Sequence, residues 1–374
     1  VNMSLDSIKG GGTAERTLQI TRALAENGND CDILTLSSTI NHTHALTTDN
    51  VRLIALRCFS ERFYIPDLQV KTIASAVKRA DVVHLMNHWT ALNAFVYLIA
   101  VYLKKPYVVC PAGALPIFGR SRSIKKLYNV LIGKRIILGA AGHIAIARDE
   151  FRQFEEYGIE PARISLIPNG VNAEDFKADD GYQFRLKYGL KDHPFILFVG
   201  RLDTIKGPDL LLQAFNIIKE NYENWHLVFA GPDNGMLSEL EGIVAKSSLE
   251  KRVHFIGYIG GAVKSQAYHA ADLVVIPSRQ EAMSIVVLEA GITGTPVLIS
   301  DQCGFDEAEE IGGGKVVSAT IEGLSIGLTV LLSDPEKLKI MGRQLRNHAA
   351  ENYTWNHTAL KYQSMYREIL NSDK

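Results

Sequence analysis

Leu273-Val274-Val275-Ile276-Pro277-Ser278-Arg279-Gln280-Glu281-Ala282-Met283-Ser284-Ile285-Val286-Val287-Leu288-Glu289-Ala290 holds a complete folding unit. Leu273–Ile276 is a short apolar, β-branched run closed by Pro277, the pattern of a strand buried on both faces. A polar loop carrying Glu281 follows, and a helix begins near Ser284. A strand that feeds directly into a helix implies a right-handed crossover to a parallel neighbour.

The same alternation runs through the chain. The first half offers strands at Cys31–Leu36, Val51–Leu56, Val82–Met86, Tyr107–Cys110, His143–Ala147 and Ile164–Ile167. The second offers Phe195–Val199, His226–Ala230, Val253–Ile256, Leu273–Ile276, Pro296–Ile299 and Lys315–Val317. Segments of helical periodicity such as Thr13–Asn27, Pro208–Glu220 and Ser284–Thr293 lie between them, so the expected class is α/β with parallel sheets. The pattern restarts after Ile167-Pro168-Asn169-Gly170-Val171-Asn172, and a polar loop, Ala178–Gly181, comes just beyond. Two doubly wound, Rossmann-like domains facing a cleft are therefore predicted. Residues 1–168 with 355–374 form the first, and 169–354 the second, the C-terminal helix Trp355–Leu370 being assigned to the first through the resemblance given below.

At 374 residues with 47% hydrophobic and 22% charged residues, the chain has the balance of a globular protein, which excludes disorder and disulfide-stapled miniproteins. The net charge of −1 calls for no nucleic acid. It is unevenly divided: residues 1–168 carry 20 Lys and Arg against 14 Asp and Glu, and residues 169–374 carry 20 against 27. Cys31, Cys58, Cys110 and Cys303 lie far apart with no Cys-x-x-Cys, so buried thiols in a reducing compartment are expected. Val1–Asp6 has neither the basic start nor the apolar core of a signal peptide, and without an initiator Met a few leading residues, with a first strand, are expected before Val1. Ala91–Leu103 spans 13 residues and includes Asn93, too short to cross a membrane, and reads as a buried core helix of a soluble, cytoplasmic protein.

In open α/β sheets the loops after the strands carry the chemistry. Gly10-Gly11-Gly12 precedes a helix whose N-terminus offers N–H groups to an anion, and a plain strand-to-helix turn fits equally well. Gly200-Arg201-Leu202-Asp203-Thr204-Ile205-Lys206-Gly207-Pro208 places two cations around a tight turn, either a solvated loop or a clamp on a diphosphate. After the strand Leu273–Ile276, the N–H groups of Met283, Ser284 and Ile285 form a candidate anion site. Glu281 and Glu289 could grip hydroxyls at opposite ends of one bound molecule, or form a solvated pair.

These segments together resemble the retaining glycosyltransferases of family 4 (glycosyl transferases group 1), which have the GT-B fold. The resemblance rests on Glu281-x7-Glu289 within Glu-Ala-Met-Ser-Ile, on Gly200-Arg201-Leu202 with Lys206-Gly207, on Ile167-Pro168-Asn169-Gly170-Val171, and on Gly11-Gly12 with Leu24-Ala25 and Gly28. It covers essentially the whole chain. It implies a nucleotide-sugar donor, by default a UDP-sugar, and hexosyl transfer with retention. The acceptor, a saccharide or lipid-linked sugar of cell-surface polysaccharide or glycolipid synthesis, would be held mainly by the first domain. By the same resemblance Glu289 would bind the ribose hydroxyls and Glu281 the transferred sugar. Arg201 and Lys206 would hold the diphosphate with N–H groups of Met283, Ser284, Ile285 and Gly12. The base would lie near Tyr258 and the turn after Gly231.

Charge builds on the departing diphosphate as the glycosidic bond breaks, and preplaced cations and N–H groups stabilise it. With Arg201 and Lys206 present no metal is expected, and Asp30-Cys31-Asp32 is read as structural. No carboxylate stands out as a nucleophile on the far side of the sugar, which fits front-face displacement. Ala112 in Cys110-Pro111-Ala112-Gly113 stands where many relatives carry His, so that part of the family's arrangement does not carry over. His84 and His88 follow another strand and are read as satisfied structural histidines, a cleft-facing role being the other reading. Residues 116–147 hold Arg120, Arg122, Lys125, Lys126, Lys134 and Arg135 and no acid, with an apolar stripe of Ile124, Leu127, Tyr128, Leu131 and Ile132. The stripe either packs on the domain, rests on anionic lipid at the inner face of the membrane, or lines a pocket for a lipid-diphosphate acceptor. The rival functions are a nucleotide-sugar epimerase on the same architecture and a two-lobed sugar-binding protein without catalysis.

Overall fold

A strand covered on both faces leaves no place for a polar side chain, so the apolar runs become the parallel strands. The computed structural model describes residues 1–6, 11–37, 50–60, 65–67, 69–117 and 122–372. The chain divides into two compact units, Val1–Gly170 with Trp355–Lys374, and Val171–Thr354. The first change of unit comes after Gly170 rather than Pro168, because Val171 bridges to Thr354 and its N–H donates to the Tyr353 carbonyl at 2.7 Å.

The first unit contains β1 (Cys31–Leu36), β2 (Val51–Leu56), β3 (Cys58–Ser60), β4 (Ile65–Pro66), β5 (Val83–Met86), β6 (Tyr107–Cys110), β7 (Gly142–Ala145) and β8 (Ile164–Leu166). β5-β6-β7-β8 is a parallel sheet, β1 and β2 form a parallel pair, and β3 and β4 an antiparallel hairpin that the sequence did not suggest. The backbone of Val1 and Asn2 joins β5 to β1: the Met86 N–H donates to the Val1 carbonyl at 3.0 Å, and the Asn2 N–H to the Leu34 carbonyl at 3.1 Å. β2 is half exposed rather than buried on both faces. β7 ends two residues early because the Ile146 N–H turns to the buried Glu150 carboxylate at 2.6 Å.

The helix Ala91–Tyr102 is capped by Thr90 and buries Leu92, Asn93, Val96 and Ala100, but Leu98, Val101 and Tyr102 are exposed, so it lies on the core and not within it. Asn93 satisfies its amide on the Met86 carbonyl at 2.8 Å. Cys110 and Cys303 are buried, whereas Cys31 and Cys58 are only half-buried, and all four are free thiols. The C-terminal helix Trp355–Ser372 packs on the helix Gly11–Glu26, where buried Arg16 reaches Tyr362.

The second unit is a six-stranded parallel sheet of β9 (Phe195–Val199), β10 (His226–Ala230), β11 (Val253–Gly257), β12 (Leu273–Ile276), β13 (Val297–Ser300) and β14 (Gly314–Val317). Its order is β11-β10-β9-β12-β13-β14, the doubly wound arrangement in which the winding reverses between β9 and β12. Leu210, Leu211, Leu212, Ala214 and Phe215 of the helix Pro208–Ile218 pack with Leu227, Leu273 and Leu298 in its core.

At the amino edge of this sheet three imidazoles stack. The His193 and His226 rings lie 4.5 Å apart, the His226 and His254 rings 5.2 Å, with His226 Nδ1 2.9 Å from His254 Nε2. Burial pushes His226 down to about 4, and the neighbouring His254, His193 and Arg252 charges act in the same direction. A histidine depressed in the folded state takes up its proton first in the unfolded chain. The stability it contributes is therefore intact above about pH 6.5 and lost as the pH falls toward 4. Urea unfolding at pH 7.5 and at pH 4.5 should differ by about 2–3 kcal/mol through this group, and His226→Gln should flatten the difference.

Candidate active site

The loops after β9 and β12 are neighbours at the carboxyl edge because the strand order reverses between those strands. Lys206 Nζ of the first loop donates to Glu281 Oε1 of the second at 2.7 Å, and the Ser278 hydroxyl donates to the same oxygen at 2.5 Å. The Glu281 N–H is fixed on the Gln302 carbonyl at 2.8 Å. The Glu281 side chain is only 10% exposed, and among the described residues its Oε2 accepts no hydrogen bond. One carboxylate oxygen is thus held, and the other is an open acceptor.

Arg201 approaches Asp203 Oδ2 at 3.3 Å, and Asp203 Oδ1 accepts the Lys206 N–H at 3.0 Å. Both expected diphosphate cations therefore already face a carboxylate, which compensates their charge at a partly buried site. Gly207 makes the close approach possible. Its φ is +68°, and a Cβ there would lie 2.3 Å from the Pro277 carbonyl oxygen. Gly207→Ala should cost about 2–4 kcal/mol, from left-handed strain plus the clash, read as a lower urea midpoint.

Glu289 lies within the helix Ile285–Thr293 and is buried. Its Oε1 accepts from Lys264 Nζ at 2.7 Å and its Oε2 from the Tyr268 hydroxyl at 2.6 Å. Burial and the adjacent carboxylate raise the Tyr268 phenol well above its ordinary range, so it stays a donor. Each Glu289 oxygen keeps a second lone pair. Lys264 and Tyr268 were not identified from the sequence; their i, i+4 spacing on the helix Gly261–Ala270 marks a shared face and nothing more.

The expected trio of N–H donors needs correction. The Ser284 N–H is bonded to the Cys303 carbonyl at 3.0 Å, because the loop after β13 closes over it. The Ser284 hydroxyl is buried and has no hydrogen-bond partner among the described residues. Ile285 opens the helix, where the first N–H groups lack intrahelical acceptors, and Met283 is buried beside it. Tyr258 follows β11 on the same carboxyl edge and is 61% exposed. Arg201, Lys206, Glu281, Met283, Ser284, Ile285 and Glu289 thus share one edge of the second unit. Gly12 is exposed in the first turn of the helix Gly11–Glu26 of the other unit, and Gly10 lies outside the described residues.

In the first unit Ala112 follows β6 with φ +50°, an unusual conformation for a residue with a Cβ, and the next N–H, of Gly113, donates to buried Glu150. His84 Nδ1 meets the Tyr366 hydroxyl at 2.9 Å, but its Nε2 has no hydrogen-bond partner among the described residues, so it is not fully satisfied. His88 is buried among Trp89, Tyr128 and Tyr157, and burial lowers it to about 4. Both rings are neutral at pH 7. The Asp32 carboxylate is taken by Arg79 at 2.7 Å and Arg52 at 3.8 Å.

The basic stretch forms the helix Arg122–Tyr128, a π-turn Asn129–Gly133 and the helix Lys134–Leu138; Arg120 is outside the described residues. The apolar stripe is split. Tyr128 and Ile132 pack on the core, while Ile124, Leu127 and Leu131 are exposed, with Val130 beside them at 78%. No described helix is long and apolar enough to cross a membrane.

The model of the glycosyl transferases group 1 matches residues 183–348, and that of Glycosyltransferase Family 4 matches residues 10–175. A D-inositol 3-phosphate glycosyltransferase of Nocardia farcinica is 32% identical over 236 residues, 60% of this chain and 52% of that relative. The chain thus spans about half the length of the curated relatives it matches first. Among solved structures, the sucrose-phosphate synthase of Thermosynechococcus elongatus has a TM-score of 0.77 at 22% identity, covering 100% of this chain and 96% of its own. Anabaena HepE, solved with UDP and glucose, has a TM-score of 0.78 at 18% identity, covering 97% of both chains. The fold is GT-B.

Proposed function

The chain belongs to glycosyltransferase family 4, the glycosyl transferases group 1, and we propose that it transfers a hexosyl group from a UDP-sugar, with retention and without a metal, to a saccharide or lipid-linked acceptor of cell-surface polysaccharide or glycolipid synthesis. One observation carries the reading: part-buried Glu281 is held through one oxygen by Lys206 and Ser278 and leaves the other open at the point where the winding reverses. Glu281 then accepts from a hydroxyl of the transferred sugar. Lys206 and Arg201 exchange their carboxylates for the diphosphate, joined by the N–H of Ile285, by Met283 and by the Ser284 hydroxyl. Glu289, oriented by Lys264 and Tyr268, takes the ribose, and Tyr258 lies against the base. UDP is favoured because a solved protein of similar fold was captured with UDP and glucose.

The leaving phosphate takes the acceptor proton on the face it departs from, so no protein base is required. The acceptor binds at the first unit, and the enzyme works at the inner face of the membrane. Exposed Ile124, Leu127, Val130 and Leu131 beside Arg122, Lys126, Lys134 and Arg135 support that location, since apolar side chains ringed by cations suit an anionic lipid surface. The test is incubation with UDP-glucose and a panel of lipid-linked and free sugars in EDTA, with the product anomer read by NMR. Retention of configuration in a product containing the acceptor is expected. Donor rearranged without acceptor would instead mean an epimerase, and donor bound but never consumed a binding protein.

A further inference from the structure

Three ties join the loop after β9 to the loop after β12. One is the Lys206–Glu281 ion pair, and another is Gly207 lying against Pro277. The third is Arg279. Its N–H donates to the Ile205 carbonyl at 2.7 Å, and its Nη1 to the Thr204 carbonyl at 2.7 Å. Its fork grips Asp209 of the helix Pro208–Ile218, Nη1 to Oδ1 at 2.9 Å and Nη2 to Oδ2 at 2.6 Å. The Asp209 side chain is 14% exposed and that of Arg279 34%, so the pair is partly shielded from water, and the bond to Asp209 holds the Arg279 guanidinium above its ordinary range.

We propose that Arg279 and Asp209 are positioning residues that keep the two loops in register while the donor engages Lys206 and Glu281. The inference rests on the proposed function, because it takes Lys206 and Glu281 as the donor's partners. The donor competes for the Lys206–Glu281 pair: the diphosphate attracts the ammonium, and a sugar hydroxyl attracts the carboxylate. The Arg279 bonds involve none of those groups and survive donor binding unchanged. A planar fork on a carboxylate fixes both distance and orientation, which one ammonium cannot do. Loops freed to drift by about 1 Å lose up to about 10²-fold in rate.

The test is a double-mutant cycle on Arg279→Ala and Asp209→Ala, with Arg279→Lys as the conservative variant. The readouts are UDP-glucose affinity by calorimetry, kcat and KM with the acceptor found for the wild type, and the melting temperature without nucleotide. Each single variant and the double variant should lose a similar ~10-fold or more in kcat per folded molecule, with Arg279→Lys recovering only part of it. That non-additive pattern marks one shared function. Variants with a lowered melting temperature but wild-type kcat, KM and affinity overturn the inference and leave the bridge a purely structural one. A wild-type protein that binds neither UDP nor UDP-glucose instead overturns the proposed function, a failure visible before any variant is made.

Discussion

Glu281→Gln is expected to lower transfer about 10²–10³-fold while leaving UDP affinity within a few-fold of the wild type. The amide keeps the shape of the side chain but loses its charge and one of its two acceptor oxygens. In the native site Oε1 is taken by Lys206 at 2.7 Å and Ser278 at 2.5 Å. A carboxamide that satisfies these donors turns its NH2 toward the sugar, where an acceptor is needed. UDP lacks the transferred sugar, so its binding senses only the loss of compensation at Lys206. The split between kcat and Kd, from steady-state rates and calorimetry, is therefore the diagnostic quantity. A variant with near wild-type kcat would remove Glu281 from the sugar site.

Arg16→Met is expected to destabilise the first unit by about 3–5 kcal/mol. The Arg16 guanidinium is 1% exposed. It donates to Asn169 Oδ1, to the Ile167 carbonyl at 2.9 Å and to the Tyr362 hydroxyl at 2.6 Å. One side chain thereby ties together the helix Gly11–Glu26, the segment after β8 and the C-terminal helix. Methionine fills much of the volume but leaves those buried acceptors without a donor. Urea unfolding of the variant should show an early transition with the UDP-induced shift of the second unit retained. A loss below about 1 kcal/mol would mean that the C-terminal helix is held by its apolar contacts alone.

Strands such as β9, β10 and β12 were legible because burial on both faces leaves an unbroken apolar run, and Phe195–Val199, His226–Ala230 and Leu273–Ile276 begin and end where the sequence suggests. The hairpin of β3 and β4 was not, because strands of three and two residues carry too few positions to show a period. Hydropathy also misjudged Ala91–Tyr102: an apolar composition does not say which face meets the core, and Val101 and Tyr102 face outward.

In the site, Lys206, Glu281 and Glu289 stood out because they occupy loops and helix starts that follow strands. Their partners did not. Arg279 and Asp209 are separated by 70 residues, and Lys264 and Glu289 by 25, and neither pair has a local signature. Ser284 shows the same limit on a smaller scale. Its place at a helix start was readable, but the capture of its N–H by the Cys303 carbonyl depends on a loop from another strand.

On the function proposed above, the second unit binds a nucleoside diphosphate through Arg201 and Lys206 without a metal. Calorimetric titration of the protein with UDP, GDP and ADP in EDTA tests it most directly, with Lys206→Ala as the companion. Saturable binding of one nucleotide, unchanged by EDTA and at least ~10-fold weaker in Lys206→Ala, is the predicted result. Binding that disappears in EDTA, or that Lys206→Ala leaves intact, would rule out a metal-free clamp by these two cations.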